Sequence, residues 1–169
     1  MSGPLDWFEH FVRSTSVELA PYGSASRDPA DSLNQEEPHP FEARNIHPDL
    51  PKKVRDLFDD DYGEQSAFEA FKFIEKEVKR ISKLQNKTGY ALMMDAFNET
   101  NAKIRLNRLT TESEFDEQRG YKSIFAGAVA GIRNPRGHEI DIGDTPDEAL
   151  DYLALASLLL RRLDAAGAR

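Results

Sequence analysis

From His47 onward apolar residues recur at helical spacing, and no alternating run reaches strand length. His47-Pro48-Asp49 precedes a short helix near 51–60, with Val54, Leu57 and Phe58 on its inward side. Gly63 interrupts, and the next pattern predicts a long helix over about 65–85. There Phe71, Ile74, Val78 and Ile81 repeat at steps of three and four, and Ala67, Phe68, Ala70 and Leu84 widen the stripe until it requires two neighbours. After Gly89 the cluster from Ala91 to Phe97 predicts a turn or two of buried helix, whereas residues 98–111 are polar, mixed and without a predicted element.

Ser113, with Asp116 three residues later, resembles an N-cap pair for a helix carrying Tyr121, Ile124, Phe125, Ala128, Val129 and Ile132. Pro135 is expected to end that helix, because it lacks an amide donor and its ring obstructs the preceding turn. Gly127 and Gly131 each cost about 1 kcal/mol relative to alanine in a helix, so close approach of another helix is expected there. The last helix has the clearest start, with Thr145 as N-cap, Pro146 in its first turn and Glu148 closing a capping box. It is apolar on nearly all faces between Leu153 and Leu160 and is expected to be central or shared with a partner chain. These patterns predict an all-α compact helical bundle of four to five helices with a flexible N-terminal extension.

That extension divides in two. Residues 1–19 hold an amphipathic segment, in which Leu5, Phe8 and Val12 stand beside Trp7 and Phe11; so short a helix is marginal alone and packs on its own domain, on a twin subunit or on another protein. Residues 20–44 have little to bury and read as a disordered linker, leaving 45–166 as the helical domain. A chain of 169 residues suits one such domain. Its net charge of −8 offers no broad basic field for coating a duplex. Seven acids against two bases lie in residues 1–40, so most of the acidity falls outside the expected fold. With no cysteine there is no disulfide, thiolate metal site or cysteine nucleophile. Neither a signal peptide nor a run long enough to span a bilayer is recognisable, and a cytoplasmic protein without membrane contact is expected.

The chemistry then falls to histidine, carboxylates, arginine and lysine. Of four histidines, His10 and His39 precede the expected domain, and no HExxH motif occurs, so neither a metal nor a cofactor is expected. Arg133-Asn134-Pro135-Arg136-Gly137-His138-Glu139 stands out. On an unbroken helix Arg133 and His138 are about 140° apart in projection; a break at Pro135 is expected to swing His138 back toward Arg133. Arginine clamps oxyanions and imidazole moves protons near neutrality, a pair suited to a phosphodiester. The same residues also suit a purely structural turn, with Arg133 capping its helix, Asn134 ordering the chain and His138 bonded to Glu139 or backbone.

Arg133-Asn134-x-x-x-His138 resembles the Arg-x4-His motif of the HEPN superfamily of all-helical domains, many of them metal-independent ribonucleases. The stretches around His47-Pro48, Ala67 to Lys72, Gly89 to Met93, Phe125 to Ala128, Arg133 to Glu139 and Tyr152 to Asp164 are similar to the uncharacterised Ymh domain family, placed in that superfamily. The resemblance covers about 45–165. It implies a homodimer with both motifs facing one cleft, Arg133 on the scissile phosphate and His138 in proton transfer. Asn134 then orders the turn or contacts RNA, and Glu69 matches an acidic position able to orient Arg133 or His138. Arg136, Arg161 and Arg162 are the further substrate-binding candidates, forming a local patch with Arg133 in an otherwise acidic chain. The implied activity is an endoribonuclease using 2′-OH attack in a toxin or phage-defence setting, with an antitoxin or other defence protein as a further partner. Alternatives are a noncatalytic nucleic-acid or nucleotide-binding module and a structural dimerisation domain.

Overall fold

Among the residues that the computed structural model describes, 37–138 and 143–169 with the His138 side chain excepted, every regular element is helical. The amphipathic reading of 1–19 and the linker reading of 20–36 lie outside the described residues. In chain order the elements are α1 (Pro40–Ala43), α2 (Lys52–Asp59), α3 (Gly63–Ser82), α4 (Gly89–Ala96), α5 (Glu112–Ala128), a π-helical turn (Val129–Arg133), α6 (Asn134–His138) and α7 (Pro146–Ala165). No described helix is long and apolar enough to cross a membrane.

The wide stripe of α3 has the neighbours it requires: α2, α4 and α7 pack around it, as do the π-turn and α6. Ala67, Ala70, Phe71, Ile74 and Val78 are fully buried there. Gly63 opens α3 against α7 so closely that a Cβ at this position would come within 2.8 Å of the Ala149 Cβ. The helix ends at Ser82, three residues before the expected boundary, because Lys83 turns left-handed at φ 62°. α7 begins with the expected capping box, Thr145 and Glu148 each satisfying the other's backbone N–H. It is central as expected, with Ala149, Leu153, Ala156, Leu159, Leu160 and Leu163 fully buried.

Regular structure starts earlier than residue 45. α1 lies within the stretch read as linker, where its Phe41 ring is buried 5.4 Å from that of Phe58. His39 starts this helix by accepting the Phe41 N–H, and its other ring nitrogen lies 2.7 Å from an Asp59 carboxylate oxygen. At the start of α5 the cap is Thr111, not Ser113, because Thr111 and Glu114 form a complete capping box while Asp116 instead binds Arg119. The stretch between α4 and α5 has no regular element yet buries Ile104 and Leu106. Gln118 makes this possible: fully buried, it donates to the carbonyls of Phe97 and Ile104 and accepts the Leu106 N–H.

Pro135 does not end the helix. From Glu112 the chain stays helical through His138, because the turn before the proline widens to a π-turn in which the Asn134 N–H bonds the Val129 carbonyl five residues back. That widening relieves the clash that a proline ring meets in a regular α-turn, and the Arg136 side chain donates to the Ile132 carbonyl. The close approach expected at Gly127 and Gly131 is also not made: within the described residues nothing lies within 4 Å of a Cβ built at either. Gly120, Ile124, Gly127 and Gly131 instead form an exposed, uncharged row on one side of α5 and its π-turn.

Candidate functional site

The π-turn sets Arg133 against the face of α3 that carries Glu75. Arg133 Nη1 donates to the Asn134 side-chain oxygen at 3.0 Å, and the guanidinium lies 5.5 Å from the Phe68 ring centre. Its Nε is 3.6 Å from Glu75 Oε2, close enough for ionic attraction but beyond hydrogen-bonding distance. Both atoms are buried and lack a hydrogen-bond partner among the described residues. The other Glu75 oxygen accepts the Gly89 N–H at 2.9 Å, so one carboxylate joins α3, the start of α4 and the π-turn.

Around this pair Lys72, Lys76 and Lys79 complete a cleft of about 140 Å³. Lys72 also lies over Phe68 and donates to Glu69, whereas Lys76 and Lys79 have no carboxylate partner among the described residues. With Lys72 paired to Glu69 and Arg133 to Glu75, Lys76 and Lys79 are left as an excess of positive charge at the cleft, in a chain of net charge −8. Oxyanions, phosphates above all, suit such a site.

The structure uses the candidate residues unevenly. Asn134 is Arg133's hydrogen-bond partner and is not itself among the residues that line the cleft. Glu69 instead holds Lys53 and Lys72, at 3.0 and 3.1 Å; burial opposes its ionisation, but the two lysines outweigh it and keep its carboxyl below the ordinary range. Glu75 is the acid that meets Arg133. A signal for it exists in the sequence, since Phe71, Glu75, Val78 and Ser82 share one edge of the α3 stripe, where a buried carboxylate requires a cation.

Arg136 is committed elsewhere. Its side chain, only 4% exposed, forms two hydrogen bonds of 2.6 and 2.7 Å to Asp144 and lies 4.2 Å from the Tyr152 ring centre. Burial disfavours its charge, but Asp144 and Tyr152 prevail and raise its pKa above the ordinary value. Arg161 donates to the Asn45 carbonyl, and Arg162 pairs with Glu117 over the Tyr121 ring. The four arginines thus serve separate junctions of the fold, and the cations beside Arg133 are instead the lysines of α3.

His138 closes α6, and its side chain, like all of Glu139, lies outside the described residues. Because the helix continues through Pro135, the turn expected to swing His138 back is not formed, and the two backbone positions stand about 140° apart around the axis. Gly137 on the same turn meets the Phe68 ring, where an added Cβ would come within 3.0 Å of its edge. Phe68 therefore links the end of α6 to the guanidinium of Arg133.

A family model described as "Protein of unknown function (Hypoth_ymh)" matches residues 44–163, a span that includes every candidate named above. No curated protein and no solved structure matches the chain.

Proposed function

We propose that this chain, which belongs to the Hypoth_ymh family, is a HEPN-type RNA-binding domain that cleaves RNA without a metal through its Arg-x4-His motif. The observation that carries the reading is the half-buried Arg133, held by Glu75 and Asn134 with its Nη2 unpartnered among the described residues, in a cleft edged by three lysines of an otherwise acidic chain. An anionic chain of phosphates is the ligand such a cleft selects.

In the proposed reaction the ribose 2′-oxygen attacks the adjacent phosphorus, forming a new P–O bond as the bond to the 5′-oxygen breaks. His138 takes the 2′-hydroxyl proton or supplies one to the leaving oxygen, and Arg133 stabilises the charge that develops on the phosphoryl oxygens. The products are a 2′,3′-cyclic phosphate and a 5′-hydroxyl. DNA has no such nucleophile. The uncharged outer row of α5, together with Leu158 of α7 at 49% exposure, supports pairing of two copies in the cytoplasm. A toxin or phage-defence setting with an antitoxin-like partner completes this reading.

A specific observation favours a second reading, a noncatalytic nucleic-acid or nucleotide-binding module: the unbroken helix separates the Arg133 and His138 positions of one chain. Incubation of wild type, Arg133→Gln and His138→Ala with mixed RNAs in chelator, followed by end-group analysis, decides between the two. Cleavage with cyclic-phosphate ends, lost in both variants, supports the ribonuclease. Binding lost only in Arg133→Gln, with no cleavage by any form, supports the binding module.

A further inference from the structure

We propose that Lys76 and Lys79 extend the Arg133 site into a track for consecutive phosphates of single-stranded RNA, making its ligand a polynucleotide strand rather than a lone nucleotide. This rests on the reading of the Arg133 cleft as an RNA site and specifies the form of RNA that it takes. Lys72, Lys76 and Lys79 follow one another at steps of four and three on α3, so they share one side of the helix. From the first to the last the helix rises about 10.5 Å. A single phosphate group at Arg133 does not reach both ends of that row, whereas a strand laid along it presents one phosphate after another.

The pairing of these lysines separates a structural role from a recruiting one. Lys72 is drawn toward Glu69 and the Phe68 ring, but Lys76 and Lys79 are without carboxylate partners among the described residues beside the cleft. Unpaired lysines so placed raise the local potential and release counterions when phosphates arrive. The row is one helix wide. Duplex binding draws on phosphates of both strands across a broad basic surface, and here Arg136, Arg161 and Arg162 are already engaged by Asp144, Asn45 and Glu117. A flexible single strand is the polyanion that fits one row of cations beside an arginine clamp.

Salt dependence measures how many phosphates are contacted. For single strands the slope of log K against log salt is roughly −0.7 for each phosphate neutralised, so four cations give about −2.8 and two give about −1.4. The test is fluorescence anisotropy of a labelled oligouridine about ten nucleotides long, across roughly 50–200 mM salt. It compares the full-length wild type, Lys76→Gln/Lys79→Gln, Arg133→Gln and the control Lys52→Gln, which alters a side chain 86% exposed and away from the cleft. Circular dichroism verifies that each variant is folded. The double variant is expected to halve the slope, whereas Lys52→Gln leaves it unchanged. Uridine monophosphate, used as a competitor, is expected to bind wild type and the double variant alike. An unchanged slope in the double variant, with binding still lost in Arg133→Gln, overturns the track and leaves the RNA reading intact. Failure of wild type to bind, or binding undiminished by Arg133→Gln, overturns both.

Discussion

Arg133 Nε and Glu75 Oε2 face each other across 3.6 Å, and neither of these buried atoms is hydrogen-bonded among the described residues. The carboxylate fixes the guanidinium at its buried Nε and Asn134 takes Nη1, so Arg133 is aimed by two partners while Nη2, unpartnered among the described residues, remains as a donor for another. Phe68 limits its remaining freedom from a further side. Such preorganisation favours an anion whose charge grows during a reaction, since no donor has to be reoriented at that moment.

Glu75→Gln separates aiming from binding. The amide oxygen still accepts the Gly89 N–H, but the anionic partner of Arg133 is gone and the cleft becomes more positive by one charge. RNA binding by anisotropy is expected to be no weaker than in wild type. Cleavage is expected to fall on the order of tenfold, because the guanidinium loses its fixed direction. A parallel loss of binding and cleavage would show that Glu75 serves the fold alone.

Two glycines predict opposite responses to the same change. At Gly63 the added methyl meets the Ala149 Cβ, which is tied to the backbone of α7, so α3 and α7 must part. Gly63→Ala should cost about 1–3 kcal/mol in urea unfolding. At Gly137 the obstacle is the edge of the partly buried Phe68 ring, the far end of a side chain and not backbone, so a shift of a few tenths of an ångström relieves it. There the strain is offset by a helix-propensity gain of about 1 kcal/mol, and Gly137→Ala should leave stability nearly unchanged. Its effect should appear in RNA binding, because Phe68 supports both Lys72 and Arg133.

Acid should weaken one junction in a defined window. Hydrogen bonding, first to Lys122, pulls the Glu99 carboxyl down from 4.5 to about 2, with backbone and Arg119 contacts assisting. A carboxylate depressed in the folded state contributes stability above its unfolded pKa and loses it as pH falls through its folded pKa. The junction stays in contact with water, so its contribution is about 1 kcal/mol, well below what full burial would give. Glu99→Gln should therefore be less stable than wild type by about that amount at neutral pH. Urea titrations repeated at lower pH should show the difference shrinking from 4.5 toward 2. A gap that stays constant throughout would assign the loss to packing.

What the sequence disclosed was local. Thr145-Pro146-x-Glu148 carries its own hydrogen-bond geometry, and the stripe from Phe71 to Val78 already requires burial, so both were legible. Pro135 was misleading because its relief comes from a π-turn, whose spacing differs from an α-turn by one residue and leaves the apolar pattern intact. Gln118 resembles any surface glutamine until the backbone of the preceding loop needs its three hydrogen bonds. Glu69 and Glu75, six residues apart, lie about 120° from each other around α3. Choosing between them required knowing which side of that helix receives the π-turn, a tertiary fact that neither residue encodes locally.

The unbroken helix also predicts how two copies divide the proposed reaction. Positions 133 and 138 of one chain stand on different sides of the helix, so a cleavage site is more readily assembled from Arg133 of one copy and His138 of the other. Arg133→Ala and His138→Ala are each expected to be inactive as homodimers. When they are mixed and allowed to exchange subunits, half of the dimers hold one of each, and each such dimer contains one site with both residues intact. Activity should recover to about a quarter of wild type, as a two-fold symmetric assembly requires. If each chain built its own site, every site in the mixed dimer would lack one residue and no recovery would occur. Light scattering on the same samples provides the check on assembly: a monomer at all protein concentrations removes the pairing and the shared site with it.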